Sequence, residues 1–561
     1  MVEAPPHPGD MPGQMKFLLL SLLAGLSSAL GFEPLGLWPL TLAAFAALIW
    51  LVGTAPRLRT ALARGWWFGV GNFVVGLNWI ATAFTYQAAM PAWLGWIAVV
   101  LLSLYLAVYP AMAAGLAWRW GRTPTRHPRE SGDPASSSSS AGAADTSADE
   151  QEKQRNSRFR GNDGVILTLV FAAAWIVTEW LRATMFTGFA WNPVGVALLP
   201  TPIAKASTLV GTYGLSGIAV LLSGVLLLLA YRHWRSAAAV AVAVAGFAGL
   251  AHLIHSPVDT RPGMALRIVQ PNIGQEVKWN PEFEIENFRR LRRMTRGGTG
   301  EPRLVLWPEA AVTDPLEDGR VDPYVQRGLI RTRLLVGASI EPNDLLLTGG
   351  VKLRSIDGMR ATSGTNAVFV MNHAGRILAR YDKAHLVPYG EYLPMRPLLS
   401  TLGLSRLAPG DIDFDSGPGP QSFLLPGVGQ IGFQLCYEII FSGEVVQRGN
   451  RPEFLFNPSN DAWFGAWGPP QHLAQARMRA VEEGLPVLRS TPTGISAVID
   501  SEGRLLHSIP WRTSGVIDAR LPRPAPETLF SKFGNVLPIL FALLLAGIAI
   551  AVRVKSRYGR T

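Results

Sequence analysis

Three residues with the chemistry of acyl transfer each follow an apolar, strand-like run. Glu309 follows RLVLWP, Lys383 follows RILARYD, and Cys436, the only cysteine of the chain, follows QIGFQL. If these strands are neighbours, a carboxylate, an ammonium group and a thiol meet at the strand ends. A carboxylate of raised pKa can take the thiol proton, because the thiolate is the nucleophilic form of cysteine. The ammonium group can stabilise the oxyanion of a tetrahedral intermediate.

Spacing alone leaves a structural alternative open for each of these residues. Glu309 could be a solvated loop acid or the start of a helix, Lys383 a surface charge, and Cys436 a packed small hydrophobe. His385 and His472 could suggest a Cys–His enzyme, although we expect a structural role for both. No cluster of His, Cys or carboxylate residues has metal-ligand spacing, so we expect neither a metal nor another cofactor.

The sequence around these residues predicts an α/β domain over residues 263–525. The predicted strands are MALRIVQPN, PRLVLWPEA, DLLLTGGVKL, TNAVFVMN, QIGFQLCYE, EFLFNPSN, LPVLRST and GISAVIDSEG. Two segments, NPEFEIENFRRLRRMTR and QHLAQARMRAVEEG, have the pattern of helices, and Gly484 ends the second one. Apolar strands that alternate with helices are typical of buried sheets, whose chemistry lies near the carboxyl ends of the strands.

The rest of the chain is too apolar for an ordinary soluble protein. Overall 48% of the 561 residues are hydrophobic and only 16% are charged. Because a spanning helix needs about 20 mostly apolar residues, the sequence predicts seven transmembrane helices within residues 16–255 and an eighth at 535–553. The eight segments are 16–33, 37–55, 66–86, 92–117, 164–181, 207–231, 236–254 and 535–553. The predicted fold class is therefore a multi-pass α-helical membrane domain plus an α/β domain.

Basic residues are concentrated after every second one of these segments, and this pattern predicts how the chain is oriented in the membrane. RLRTALAR, RWGR, YRHWR and RVKSRYGR follow the second, fourth, sixth and eighth segments. By the positive-inside rule, the N-terminal tail (residues 1–15) and the basic C-terminal tail (residues 554–561) are cytoplasmic, and the α/β domain is periplasmic. The same rule accounts for the net charge of +11 without a nucleic-acid partner. The first segment could instead be a cleaved signal peptide, but the alternation favours a retained span.

Two further segments carry predictions of their own. Residues 121–163, rich in Ser, Ala, Gly and charge, are predicted to be a disordered cytoplasmic insert. Glu179 and Arg182, near the end of the fifth apolar segment, are predicted to form a structural pair. Trp463, Phe464 and Trp467 are either core residues or a mobile lip that contacts lipid.

Several longer motifs show a family resemblance. They are VQPNIGQEVKW, LWPEAAV, YDKAHLVPYGEYLP, CYEIIF, NPSNDAWFG and QHLAQARMRAVEEGLPVLRST. On these motifs the chain resembles the carbon–nitrogen hydrolase (nitrilase) superfamily, and over nearly its whole length the membrane-bound apolipoprotein N-acyltransferase family within it. The resemblance implies a nitrilase-like αββα sandwich. It also implies that Glu309 is the base, Lys383 the stabiliser of the oxyanion and Cys436 the nucleophile.

The resemblance also points to four supporting residues. Trp279 resembles a position at the substrate entrance, and Glu391 is expected to orient the catalytic lysine or to tune the base. Tyr437 and Glu438 are expected to shape the pocket, with the N–H of Tyr437 in the oxyanion hole. A structural salt bridge, a packed aromatic ring or a loop anchor remains the alternative for these positions.

The resemblance implies a reaction in two steps. The cysteine first takes an acyl chain from a phospholipid as a thioester. The α-amino group of a diacylglyceryl-cysteine apolipoprotein then accepts it, in the last step of lipoprotein maturation. The expected enzyme is a monomer in the bacterial inner membrane, with the bilayer as its partner. Two rivals remain open: a membrane-tethered amidase or nitrilase acting on a soluble substrate, and a transporter, which would need polar or broken helices near mid-membrane.

Overall fold

The structure is a computed structural model that describes residues 11–86, 91–122, 162–254, 261, 263–297, 300–401 and 412–558. Most of the predicted insert (121–163), residues 1–10 of the predicted N-terminal tail and the last three residues of the predicted C-terminal tail lie outside the described residues. Helices of eight or more residues are numbered α1–α12, and strands are numbered β1–β13.

The segments that precede and follow the α/β domain in the sequence are helical. Those before the domain are α1 (Met11–Ala29), α2 (Trp38–Thr54), α3 (Leu58–Gly76), α4 (Leu94–Leu106), α5 (Val108–Gly121), α6 (Asn162–Thr184), α7 (Ser207–Ala230) and α8 (Trp234–Ile254). A short helix, Ile80–Ala83, follows α3, and the last helix of the chain, α12 (Val536–Tyr558), follows the domain. Each of the eight segments predicted to span a membrane overlaps one of these helices.

Several of these helices have the length and composition of membrane spans. Within the described ranges, five qualify: Leu94–Gly121, Asn162–Thr184, Pro202–Ala230, Trp234–Ile254 and Val536–Ser556. A sixth qualifies if Leu58–Gly76 and Ile80–Tyr86, bent by 49° from each other, are one span. Gln14–Ala29 and Trp38–Thr54 are shorter apolar helices. The helical half therefore confirms the predicted class, a membrane domain joined to an α/β domain.

Two polar or irregular features inside this helical half have structural partners. Glu179 Oε1 lies 3.8 Å from Arg182 Nη2 and accepts a hydrogen bond from the N–H of Val194. Helix α7 is broken at Gly211, whose φ is 65°, and the ring of Phe530 fills the space that a side chain there would need. The break is therefore occupied by the segment that leads into α12, and it is not an open ligand site.

Thirteen strands among the described residues build two sheets. The first contains β1 (Ala265–Gln270), β2 (Arg303–Leu306), β3 (Glu317–Asp318), β4 (Leu345–Arg354), β5 (Ser363–Asn372), β6 (Ile377–Asp382) and β13 (Gly515–Arg520). The second contains β7 (Ser422–Leu425), β8 (Gly429–Phe433), β9 (Phe454–Pro458), β10 (Val487–Ser490), β11 (Ser496–Ile499) and β12 (Leu505–Ile509). Their orders are β13-β1-β2-β4-β5-β6, with β3 beside β4, and β12-β11-β10-β9-β8-β7.

Each sheet has a parallel centre and antiparallel outer strands, except that the short β3 runs parallel to β4. Strands β1, β2 and β4 run parallel, as do β8, β9 and β10. The sheets face each other, and Ser490 Oγ in β10 donates to the carbonyl oxygens of Val269 (3.1 Å) and Leu306 (3.3 Å) in the other sheet. These strands are buried on both faces, which explains why they read as continuous apolar runs.

Helices cover the outer faces and complete an αββα sandwich. Helices α9 (Pro281–Thr295) and α10 (Pro323–Gly337) cover the first sheet. Helix α11 (Gly468–Glu483) packs against β10 of the second sheet and against α7. Helices α9 and α11 were predicted from the sequence, whereas α10, although capped by Asp322, was not. This architecture confirms the nitrilase-like fold class.

A buried ion pair joins β2 to β4 and yields a stability prediction. Arg303 Nη2 lies 2.7 Å from Asp344 Oδ2, and both side chains are almost fully buried. Replacing Asp344 by Ala leaves a buried guanidinium group unpaired, which we expect to lower the free energy of unfolding by about 3–5 kcal/mol. The exposed pair Glu286–Arg293 provides the control, because Glu286→Ala should cost about 0–1 kcal/mol. Thermal unfolding followed by tryptophan fluorescence measures both, and equal midpoints would contradict the expectation.

Candidate active site

Cys436 lies at a sharp turn between β8 and a short 3-10 helix. The predicted strand QIGFQLCYE ends at Phe433, and Cys436 opens the helix Cys436–Ile440 with a φ of 53°. Positive φ is uncommon for a residue with a side chain and is typical of functional sites that the surrounding fold holds in place. The cysteine is 5% exposed. Its thiol is therefore fixed in an interior position at the end of the second sheet.

Glu309 reaches the same site from the other sheet. It follows β2 by three residues, and the segment around it crosses β4 at Gly349. A Cβ at Gly349 would lie 2.6 Å from Glu309 Cα, so only glycine permits this crossing. Glu309 Oε1 accepts a hydrogen bond from Asn366 Nδ2 (2.9 Å). Its buried Oε2 has no partner among the described residues, so one carboxylate oxygen is available to a thiol proton.

Lys383 directly follows β6 and is paired with a second carboxylate. Its ammonium nitrogen lies 2.8 Å from Glu391 Oε2, and only 1% of its side chain is exposed. Glu391 Oε1 accepts from Asn366 Nδ2 (2.7 Å). Asn366 in β5 thus donates to both carboxylates and holds Glu309 and Glu391 on either side of one amide.

These placements correct one premise drawn from the sequence. The strands that precede the three residues are not neighbours, because β4 and β5 separate β2 from β6, and β8 belongs to the other sheet. The loops that follow the strands bring the residues together. Asn366 holds Glu309 beside the Glu391–Lys383 pair. The charges of Glu309 and Lys383 both shift the pKa of the Cys436 thiol, in agreement with one common site.

Glu438 fastens the lysine loop to the cysteine turn. Its Oε2 accepts from the N–H of Leu435 (2.7 Å), just before the cysteine. Its Oε1 accepts from the Tyr381 hydroxyl (2.8 Å) and from the N–H groups of Ala384 (2.7 Å) and His385 (3.0 Å). Both carboxylate oxygens of Glu438 are therefore used in hydrogen bonds that hold the two loops together.

The site contains a second buried lysine that the sequence did not single out. Lys278 Nζ donates to the carbonyl oxygen of Glu309 (3.1 Å), and its side chain is buried. Burial lowers the pKa of Lys278 to about 8, against the opposing charges of Glu309 and Cys436. Next to it, the ring of Trp279 is 41% exposed, at the boundary between the site and the surface. The sequence offered one signal for this role: Lys278 lies in VQPNIGQEVKW, the motif that also contains Trp279.

The pKa values of the thiol and of the ammonium group are both raised, which keeps the thiol neutral and the ammonium group charged. Burial and then the Glu309 carboxylate raise the pKa of Cys436 well above its ordinary value, while Lys383 and the N–H of Asn460 act in the other direction. Burial disfavours the charge of Lys383, but Glu391 and Glu309 outweigh it and raise the pKa of that lysine. At neutral pH the resting site therefore pairs a neutral thiol with a charged ammonium group.

The aromatic residues near the site pack against the helical half. Phe464 is buried with its ring 4.6 Å from that of Trp79 and 5.5 Å from that of Trp191, and Trp463 lies against Tyr86 at 5.7 Å. This arrangement matches the core alternative for these residues. Tyr437 is also buried, and its ring packs edge-on against Phe441.

Known proteins resemble this chain over almost its full length. Residues 24–225 match the family profile described as Apolipoprotein N-acyltransferase N-terminal domain, and residues 266–527 match Carbon-nitrogen hydrolase. Proteins named Apolipoprotein N-acyltransferase from Bradyrhizobium diazoefficiens and Rhodopseudomonas palustris are each 32% identical, covering 97% of this chain and 96% of the relative. A relative of the same name from Brucella melitensis is 31% identical over 96% of each chain. A solved carbon-nitrogen hydrolase from Helicobacter pylori is 14% identical, covers 46% of this chain and 88% of its own, and has a TM-score of 0.32.

A carbon–nitrogen hydrolase sandwich joined to apolar helices defines a membrane-bound enzyme of the nitrilase superfamily. Within that class, the chain belongs to the apolipoprotein N-acyltransferase family. It is accordingly an N-acyltransferase, and the resemblance inferred from its motifs is confirmed. The roles of the individual site residues remain predictions, which the following two substitutions test.

Replacing Glu309 by Gln should move thiol ionisation and acyl transfer in opposite directions. Removal of the carboxylate charge lowers the pKa of Cys436, so thiolate forms at lower pH. The same substitution removes the proposed base and should slow acylation of the cysteine by about 10²–10⁴-fold. The pH dependence of the reaction of Cys436 with methyl methanethiosulfonate measures ionisation, and mass spectrometry measures acylation. Glu301→Gln, at an exposed pair with Arg520, should change neither, and parallel loss of both reactions would contradict the assignment.

Replacing Glu391 by Gln should shift the alkaline limit of activity. Since Glu391 is the largest of the charges that raise the pKa of Lys383, the variant lysine should lose its proton at lower pH. The rate of acylation should therefore begin to fall about 1–3 pH units lower than in the unsubstituted protein. A pH–rate profile from pH 7 to 12 checks this, with Glu286→Gln as the surface control. An unchanged alkaline limb would show that the lysine charge does not depend on Glu391.

Proposed function

We propose that this protein transfers an acyl chain from a membrane phospholipid, through a thioester on Cys436, to the α-amino group of an N-terminal diacylglyceryl-cysteine. The observation that carries the proposal is one buried site that contains a carboxylate with a free oxygen, a paired ammonium group and the only thiol of the chain. This site belongs to a chain whose full-length relatives are named for N-acylation of apolipoproteins.

The first half-reaction acylates the cysteine. Glu309 Oε2 takes the thiol proton as the sulfur attacks the ester carbonyl carbon, and the negative charge on the carbonyl oxygen is stabilised by Lys383 and the N–H of Tyr437. The carbon–oxygen bond to the glycerol then breaks, and Glu309 returns the proton to the departing oxygen. The products are a thioester and a lysophospholipid.

The second half-reaction uses the same groups. The α-amino nitrogen attacks the thioester and Glu309 removes the amine proton. The carbon–sulfur bond then breaks, and Glu309 passes this proton to the departing sulfur, which restores both the thiol and the carboxylate. Burial of the site keeps water from the thioester, which separates transfer from hydrolysis. Trp279, with its half-exposed ring, is proposed to line the entrance for the acyl chains.

The proposal includes a location in the bacterial inner membrane. The basic loops support cytoplasmic termini and a periplasmic α/β domain. Both substrates are anchored in lipid. Asn535, directly before α12, donates to the carbonyl oxygen of Ser442 (2.8 Å), six residues after Cys436, which supports a site close to a membrane helix. We propose that one chain contains the whole active site and acts as a monomer.

Incubation of the full-length protein with phospholipid vesicles tests the chemistry. We expect the Cys436 peptide to gain the mass of one acyl chain, with one lysophospholipid released for each thioester, and Cys436→Ala to show neither. Adding a diacylglyceryl-cysteine peptide should then discharge the thioester onto its α-amino group.

Two controls separate this reaction from its rivals. The same peptide with an acetylated amino group should leave the thioester intact, because no nucleophile is available. Turnover of a small amide in the absence of lipid, without a phospholipid-derived thioester, would instead favour the amidase alternative and overturn the proposal.

A further inference from the structure

A buried histidine contacts the backbone of the proposed nucleophile. His472 Nε2 lies 3.1 Å from the carbonyl oxygen of Cys436, and the imidazole is fully buried. A carbonyl oxygen can only accept a hydrogen bond, so Nε2 carries the proton and donates it. The imidazole contacts the backbone carbonyl of the proposed nucleophile, so this is not the arrangement of a Cys–His pair.

Two charged residues hold the other side of the imidazole. His472 Nδ1 lies 2.9 Å from Asp461 Oδ1 and 3.0 Å from Arg489 Nη2, so it has a partner in either protonation state. Arg489 Nη2 in turn donates to both oxygens of Asp461, at 2.8 and 2.7 Å. All three side chains are completely buried. Burying an ion pair costs several kcal/mol of desolvation, which is a large cost for a residue that only packs.

The peptide that accepts this hydrogen bond also contains the predicted oxyanion donor. The carbonyl of Cys436 and the N–H of Tyr437 belong to one planar amide. Among the described residues, that N–H has no hydrogen-bond acceptor. A hydrogen bond to the carbonyl polarises the amide and strengthens its N–H as a donor. It also fixes the plane of the peptide, and hence the direction of the N–H.

We propose that His472, held by Asp461 and Arg489, is a positioning residue of acyl transfer that orients and polarises the Cys436–Tyr437 peptide as the oxyanion donor. The inference rests on the proposed function and extends it to a residue behind the nucleophile. His472 acts through the peptide and touches neither substrate nor sulfur. Its effect is therefore expected on the rate of acylation and not on thiol reactivity or on substrate binding.

Two substitutions separate the hydrogen bond from the rest of the side chain. The amide nitrogen of His472→Gln reaches roughly the place of Nε2 and can donate to Cys436. The amide of His472→Asn lies roughly at Nδ1, where it can bind Asp461 but not the carbonyl. We expect His472→Asn to lower the rate constant of acylation at saturating phospholipid by ~10- to 100-fold, with little change in the half-saturating concentration. His472→Gln should stay within about threefold of the unsubstituted protein, because it restores the donor.

The rate at which Cys436 reacts with methyl methanethiosulfonate separates the two roles. If His472 only supported the local structure, its loss would slow this reaction as well as acylation. The Cys436 thiolate attacks the sulfenyl sulfur of the reagent, forms a methyl disulfide and releases methanesulfinate. No carbonyl oxyanion develops, so both variants should react at rates close to that of the unsubstituted protein. His373→Asn is the matched control, since His373 Nδ1 also lies within hydrogen-bond distance (2.6 Å) of a backbone carbonyl oxygen, that of Ile340, in a turn of the first sheet.

The outcomes distinguish failure of the proposed function from failure of this inference alone. Absence of a phospholipid-derived thioester in the unsubstituted protein overturns the proposed function and this inference with it. Equal acylation rates in the unsubstituted and His472→Asn proteins overturn the inference alone, as does parallel loss of acylation and disulfide formation. If His472→Asn does not fold, His472→Gln still tests the inference. A 100-fold slower acylation with unchanged disulfide formation in that variant would overturn it.

Discussion

Mutual neutralisation of buried charges is the constraint on which the site depends. Two carboxylates, Glu309 and Glu391, and two lysines, Lys278 and Lys383, are buried around one thiol. Any of these charges alone would be strongly disfavoured in the interior, and a buried lysine or carboxylate would lose its charge. Together they remain compatible with burial because Lys383 pairs with the Glu391 carboxylate and Lys278 donates to the backbone carbonyl of Glu309. Asn366 in turn holds the two glutamates through its amide. The ability to move a proton between acid and thiol follows from this balance.

Helix α11 joins this charged interior to the membrane-embedded half. Gln471 Oε1 accepts from Trp191 Nε1 (2.8 Å), and the next residue, His472, donates to the carbonyl of Cys436. About three turns further along the helix, Glu482 accepts from the N–H and the hydroxyl of Thr212 (3.1 and 2.6 Å). These buried polar contacts link α11 both to the apolar helices and to the cysteine turn. The orientation of the proposed nucleophile is thus tied to the same helix that docks the sandwich on the membrane half.

Burial also explains how a hydrolase fold can serve as a transferase. The thiol is 5% exposed and the lysine of the site 1% exposed, so little water reaches the place where a thioester would form. The reactive groups are polar, but the surrounding wall consists of strands buried on both faces and of aromatic residues shared with the helical half. In the proposed reaction, this wall keeps bulk water away from the thioester.

The sequence by itself determined most of the elements around the site, and the tertiary structure decided how they meet. Apolar runs predicted eight of the strands, and the apolar segments predicted the helices that flank the domain, because burial on both faces leaves a continuous hydrophobic pattern. Glu309, Lys383 and Cys436 were identified from motifs. The roles of Asn366, Lys278 and Asp461 were not predicted, since the local sequence around a polar residue does not show which distant residue it will contact. That Glu309 crosses β4 at Gly349, and that Cys436 comes from the opposite sheet, depends on packing between segments far apart in the chain. The local sequence pattern predicts which face of a strand or helix a residue occupies, but only the tertiary fold brings the faces of distant elements into contact.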